Sequence, residues 1–209
     1  MRGIFDPKFN NPGSQDFGRA VTSDSVLDLF RRVGALHEGH FRLTSGLHSP
    51  GYLQSALVLQ YPREAETLGA ALGERARSLG ADVVLSPALG GIVIGQEVGR
   101  ALGVRAIFAE RQDGALTIRR GFTLLPSDRV LVVEDVVTTG GSTRETIDAA
   151  RAAGATVVGA ASIIDRSGGN QGLDVPYQSL AAVTFPTYQA DACPLCAAGK
   201  PIVKPGSRA

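Results

Sequence analysis

Strand and helix signals alternate along most of this chain. They predict an α/β fold, a mainly parallel sheet flanked by helices, with a small N-terminal α+β hood. Three observations carry that prediction. "RSLGADVVLS", "RALGVRAIFA" and "RAAGATVVGA" each place a glycine (Gly80, Gly103, Gly154) where a helix should end, immediately before an apolar strand. The run Val130 to Val133 is continuously apolar, as in a strand covered on both faces. Two amphipathic stretches precede the first such strand, with a β-rich segment between them.

Taken in order, Val26, Leu29, Phe30 and Val33 form the apolar face of a first helix. "HEGHFRLTSGLHSPGYLQSALVL" alternates and carries turn residues, which suggests a small β-rich flap, not a buried strand. Ala65, Leu68, Leu72, Ala76 and Leu79 form the face of a second helix. The three helix-to-strand junctions and the Val130 strand then complete the parallel sheet. Residues 1–22, rich in Asn, Pro and Gly, read as a flexible extension. Residues 23–196 read as a single domain, with the hood over about 23–61, and 197–209 as a loose tail.

With 44% hydrophobic residues the chain can build a core, and its net charge of +1 argues against a nucleic-acid partner. No apolar run reaches the ~18 residues of a membrane span, and the N-terminus lacks the apolar centre of a signal peptide. A cytoplasmic location is expected. Two cysteines cannot make a disulfide framework.

The most informative stretch is "VLVVEDVVTTGGSTRETIDAARAAG", from Val130. A strand leads into the loop "TTGGS" and then a helix. Gly140 and Gly141 permit backbone conformations closed to other residues. Ser142 or Thr143 could cap the helix, with Glu145 three residues beyond Ser142 as in a capping box. Free N–H groups and the positive helix end would then suit a phosphate. No Gly-Lys-Ser/Thr ending is present, which argues against a nucleotide triphosphatase. Yet Glu134 and Asp135 precede the loop. At ~6 Å and an effective dielectric of about 20, each repels a unit negative charge by roughly 3 kcal/mol. The pair makes sense if the ligand carries hydroxyl donors near its phosphate, as ribose 5-phosphate does, and if Mg²⁺ bridges hydroxyls and a second phosphate group.

On these residues the chain resembles the type I phosphoribosyltransferase family. That family's signature is an apolar strand, two acidic residues, two apolar residues and a Thr-Thr-Gly-Gly-Ser-like loop, and "VLVVEDVVTTGGS" matches it throughout. The resemblance implies the type I phosphoribosyltransferase fold and the substrate 5-phospho-α-D-ribose 1-diphosphate (PRPP). It assigns PRPP to Glu134, Asp135, Val136, Val137, Thr138, Thr139, Gly140, Gly141 and Ser142. Ala88, Leu89, Gly90 and Gly91 of "SPALGGIVIG" would offer N–H groups to the pyrophosphate. No metal ligand is assigned directly. Mg²⁺ would be held mainly by PRPP, near Glu134 and Asp135.

"FRLTSGLHSPGYL" and "IIDRSGG" resemble the orotate-specific branch of the family, and the likeness runs from about Ser25 to Cys196. It implies that Arg166 pairs with the carboxylate of orotate and that Thr138 also contacts the base. The chemistry agrees, since a guanidinium binds a carboxylate through two parallel hydrogen bonds. The implied reaction gives orotidine 5′-monophosphate and pyrophosphate, in pyrimidine synthesis. Purine phosphoribosyl transfer and a non-catalytic PRPP-sensing regulator are the alternatives. Two lysines usual in the family are absent. The first falls within "SPALGG" and the second at Thr44.

"ERQDGALTIRRG" (110–121) lies in a connection of about nineteen residues between strands, longer than most. A mobile lid or binding loop with Gly114 as the hinge is one expectation, and a short exposed hairpin, "ALTIRRGFTL", with solvated arginines is the alternative. Arg119 and Arg120 read as solvated. By the resemblance, Arg111 stabilises departing pyrophosphate in the partner subunit of a homodimer. The pair Cys193 and Cys196 ("CPLC") is half of a zinc ribbon. A second pair would come from another subunit or from histidines, and a reduced structural tail is the favoured reading. His37, His40 and His48 read as surface or flap residues.

Overall fold

The computed structural model describes residues 21–43 and 45–204. The extension over 1–22 therefore lies almost wholly outside the described residues, and Thr44 lies outside them too. Helix α1 (Ser23–Arg32) opens the described chain. Its N-cap is Thr22, whose hydroxyl accepts from the Ser25 N–H while the Ser25 hydroxyl accepts from that of Thr22. This reciprocal capping holds the first turn, and Val26, Leu29 and Phe30 point inward as the periodicity predicts.

Strands β1 (Leu36–Arg42) and β2 (His48–Leu53) pair antiparallel as a separate hairpin, the hood. The expectation of a flap without a buried strand needs correction, because His48, Ser49, Gly51 and Leu53 of β2 are buried. Their cover comes from the far end of the chain, which sequence periodicity does not reveal. The Phe185 ring lies where a Cβ on Gly51 would come within 2.4 Å of it, and His48 exchanges backbone hydrogen bonds with Tyr188.

Helices α2 (Ala56–Leu59) and α3 (Pro62–Ala76) follow, the latter started by Pro62 at its first turn. Then come β3 (Val83–Pro87), α4 (Gly91–Leu102), β4 (Arg105–Gln112) and β5 (Ala115–Ile118). The remaining elements are β6 (Arg129–Val137), α5 (Gly141–Ala152), β7 (Thr156–Asp165), β8 (Tyr177–Ala182) and α6 (Pro194–Ala197). The large sheet runs β5-β4-β3-β6-β7-β8 and is parallel except for β5. Gly80, Gly103 and Gly154 take positive φ at the three predicted junctions.

The apolar run of β6 has a specific use. Leu131 and Val133 face a core shared with α1, α3 and α4, while Val130 and Val132 face Ile147 and Ala150 of α5. Successive strand residues point to opposite faces, so a strand buried on both must be apolar at every position. Each such side chain contributes roughly 1.5–3 kcal/mol on burial. This central rigidity fixes where β6 ends and its polar loop begins.

The connection expected as a mobile loop is different. Chain β4 continues to Gln112, and Asp113-Gly114, both at positive φ, turn it directly into antiparallel β5. Asp-Gly is the favoured residue pair for such a two-residue turn. Gly114 is therefore a turn residue in a paired hairpin. Arg119 and Arg120 are exposed, and both meet Glu110.

Candidate active site

The chain steps from β3 outward to β4, then returns to β6 on the other side of β3 and continues outward to β7 and β8. Winding reverses between β3 and β6, and a crevice opens outside the carboxyl ends of these two strands. The two loops singled out in the sequence flank it. After β3 come Ala88, Leu89, Gly90 and Gly91, with a cis peptide between Ala88 and Leu89. After β6 come Thr138 to Ser142.

The second loop is shaped as a cradle. Gly140 takes φ 72°, and a Cβ there would lie 2.2 Å from the Gln171 carbonyl oxygen. Both facts demand glycine. The Arg144 guanidinium ties the loop down by donating to the carbonyls of Thr139 (2.9 Å) and Gln171 (2.6 Å). Among the described residues no acceptor takes the N–H groups of Thr139 to Ser142, as the geometry of a helix start requires. Those donors and the positive end of α5 remain for an anion.

The expected capping box is not formed. Gly140 is the N-cap and makes no side-chain cap. The Ser142 and Thr143 hydroxyls instead donate to the two carboxylate oxygens of Glu134. Glu145 forms an ion pair with Arg111 at 2.9 Å. The sequence pattern allowed a local cap, but the strand end delivers a buried carboxylate to the same hydroxyls. Burial raises the pKa of Glu134, and these two hydrogen bonds partly offset the rise.

The two acidic residues diverge because they are neighbours on a strand. Glu134 is buried against α5. Asp135 is half-buried and faces the β3 side, where it accepts from the Ser55 hydroxyl. A Cβ on Gly90 would sit 2.7 Å from its Oδ1, so Gly90 lets the β3 loop approach the carboxylate. Tyr52 from the hood lies close enough to Asp135 and Arg166 to feel both charges. Its pKa is raised, by burial first, against the lowering effect of Arg166.

Arg166 stands just past β7, and its N–H donates to the Val137 carbonyl at 2.7 Å. The guanidinium is half-buried and lies 5.1 Å from the centroid of the Phe185 ring. Its Nε is buried without a hydrogen-bond partner. No carboxylate among the described residues pairs with it. Burial lowers its pKa. A half-buried guanidinium with no carboxylate partner and a buried, unpartnered Nε is costly and fits a site that receives an anionic, planar ligand.

The structure thus brings together Glu134, Asp135, the cradle, Ala88 to Gly91 and the start of the segment after β7. Thr138 is exposed at the cradle's mouth. Arg111 joins from β4 through Glu145, and its guanidinium also donates to the Gly114 carbonyl. Sequence reasoning missed Tyr52, Ser55, Arg144, Gln171 and Phe185. Arg144 follows the cradle directly and could have been found there. The others sit in unremarkable local sequence, and distant chain segments bring them to the site. His40 and His48 do lie on the hood strands, as flap residues, but at 3% and 6% exposed they are not at the surface.

The phosphoribosyl transferase domain matches residues 58–180. An orotate phosphoribosyltransferase of Pelotomaculum thermopropionicum is 50% identical over 188 residues, 90% of this chain and 99% of that one. Another, from Heliobacterium modesticaldum, is 51% identical over 191 residues, 90% of this chain and all of that one. Among solved structures, orotate phosphoribosyltransferase from Aeropyrum pernix matches with a TM-score of 0.62 at 26% identity, over 76% of this chain and 93% of that chain.

Proposed function

The chain belongs to the phosphoribosyl transferase domain family, among the orotate phosphoribosyltransferases, and on that premise we propose how its residues perform the transfer. The enzyme moves ribose 5-phosphate from PRPP to N1 of orotate, giving orotidine 5′-monophosphate and pyrophosphate. The N1–C1′ bond forms as the C1′–O bond to pyrophosphate breaks, with inversion at C1′, and the proton of N1 is released to solvent. Charge develops without a covalent enzyme intermediate, so catalysis rests on positioning and electrostatics.

In this reading Thr138 to Ser142 hold the 5′-phosphate with backbone N–H groups. Asp135 faces the ribose hydroxyls, with Glu134 behind it against α5, and their charge favours the cationic ribose of an oxocarbenium-like transition state. The Ser142 hydroxyl can turn from Glu134 to the arriving phosphate, which would free a carboxylate oxygen for the sugar. Ala88 to Gly91 offer N–H groups to pyrophosphate. Carboxylate oxygens are suitable donors for Mg²⁺. Asp135, half-buried with Ser55 as its hydrogen-bond partner, fits best beside it, because both oxygens of Glu134 are engaged. When bound, chiefly through PRPP, Mg²⁺ would offset the charge of the leaving pyrophosphate.

The observation that carries orotate is the unpaired, half-buried guanidinium of Arg166 beside Val137 and the cradle. Orotate brings a carboxylate on a planar ring, and Thr138 stands at the same strand end. A homodimer completes the reading, with Arg111 leaving Glu145 to reach the pyrophosphate of the partner's site. Its exposed place on a hairpin that packs against α5 supports that role. No helix of the described residues is long and apolar enough to cross a membrane, and we place the enzyme in the cytoplasm.

An assay with PRPP and Mg²⁺ across orotate, uracil, adenine, hypoxanthine and xanthine tests the function. Pyrophosphate release with orotate alone is expected. Turnover of a purine instead would overturn the reading.

A further inference from the structure

Away from the PRPP crevice, four side chains from opposite ends of the chain converge. His40 and His48 come from the hood hairpin, and Cys193 and Cys196 from the C-terminal segment. One ligand atom from each lies within 4.8 Å of all the others. His40, His48 and Cys193 are buried, and Cys196 is at the surface. Both cysteines are free thiols.

The distances suit one tetrahedral ion. A zinc ion held at about 2.3 Å by sulfur and 2.0–2.1 Å by nitrogen sets N···N edges of about 3.3 Å and N···S edges of about 3.6 Å. Here His40 Nε2 and His48 Nδ1 are 3.0 Å apart. Cys193 and Cys196 sulfurs lie 3.6 and 3.7 Å from His40 Nε2, and Cys196 Sγ is 3.3 Å from His48 Nδ1.

The orientation of the His40 ring agrees. His40 Nδ1 lies 2.9 Å from the Lys200 carbonyl oxygen, which can only accept, so Nδ1 carries the proton. With Nδ1 as the donor, Nε2 is the nitrogen that faces the other three ligand atoms. A ligand histidine fixed by a carbonyl on its other nitrogen is the usual supporting arrangement of metal sites. The backbone around the cluster is also set. His48 pairs with Tyr188, the Arg42 N–H donates to the Val203 carbonyl, and the Val203 N–H donates to that of His40. The stretch expected as a loose tail from residue 197 therefore lies along the hood as far as Val203.

We propose that His40 Nε2, His48 Nδ1, Cys193 Sγ and Cys196 Sγ form a structural zinc site that clips the C-terminal segment onto the hood. Four protein ligands leave no open position, so the ion is structural. It joins residues about 150 positions apart in sequence, where a crosslink removes much unfolded-state freedom. The clipped strand also borders the PRPP crevice. Strand β2 carries both His48 and Tyr52, and Phe185 packs on Gly51 and under Arg166.

The test uses the full chain, purified without chelator under reducing conditions. Elemental analysis should find about one zinc per chain. Cobalt(II) exchange should give the visible bands of a tetrahedral ion and thiolate-to-metal charge transfer. Cys196→Ser, at the exposed ligand, should lose most of the zinc and lower the melting temperature. It should keep kcat within about twofold at 20 °C, as a purely structural closed site predicts. Should Cys193→Ser fail to fold, the wild-type zinc content and the cobalt spectrum still decide. Zinc below about a tenth per chain after zinc supplementation, no cobalt bands, or a Cys193–Cys196 disulfide in fresh reduced protein would each overturn the proposal.

Discussion

The cradle after β6 and the hood over β1–β2 are built in opposite ways. The cradle is local. Thirteen consecutive residues supply its strand, both carboxylates, its glycines and the helix start. The hood is assembled over distance, with β2 covered by Phe185 and Tyr188 and the His40–His48 pair completed by Cys193 and Cys196. A local device should fail in function when one residue changes, while the fold survives. A long-range device should fail in stability, while the chemistry survives.

The sharpest way to break that contrast is at Asp135. Asp135→Asn should lower kcat by about 10²–10³, in the range of lost electrostatic stabilisation, with a smaller change in the KM for PRPP and an unchanged melting temperature. Normal kcat in this variant would remove Asp135 from the transition state. Gly140→Ala comes next. Its Cβ would press on the Gln171 carbonyl at a positive φ, costing roughly 1–3 kcal/mol. PRPP affinity should fall several-fold, as titration calorimetry would show, and unchanged affinity would count against the cradle.

How much of each region was legible follows from the same contrast. The cradle, the parallel sheet and the three glycine junctions were readable because their signals are contiguous. The orientation of the carboxylates was not. Strand alternation sends Glu134 to α5 and Asp135 to Ser55, and the Ser142 and Thr143 hydroxyls prefer Glu134 to a cap. The connection at 110–121 reads as a loop from its length, whereas the Asp113-Gly114 pair turns β4 directly into β5. Histidines are one candidate complement to Cys193 and Cys196, but the burial of His40 and His48 beside them depends on chain segments about 150 residues apart, which local sequence does not show.

Dimer sharing offers an intermediate effect. Arg111→Ala and Asp135→Asn chains, unfolded together and refolded, should recover about a quarter of wild-type activity, the statistical yield for random C₂ pairing. No recovery despite proven exchange would confine Arg111 to its own chain, where it meets Glu145. The smallest effect concerns stability. Burial holds the Glu134 pKa above its ordinary 4.5. Between those two values the folded chain binds more protons than the unfolded one, so stability falls as pH rises through that window. Glu134→Gln should therefore raise the melting temperature at pH 8 by about 1–3 °C, with the gain vanishing near pH 4. Scanning calorimetry at both values would show it, and an equal or lower melting temperature at pH 8 would contradict the burial argument.

The central claim is that the unpaired Arg166 guanidinium awaits the carboxylate of orotate. The most direct measurement compares orotate and uracil, which lacks that carboxylate, in wild type and Arg166→Ala. The account predicts strong wild-type discrimination for orotate. It predicts a rise in orotate KM equivalent to ~2–5 kcal/mol in the variant, and a collapse of the discrimination. An unchanged orotate KM in Arg166→Ala would contradict it.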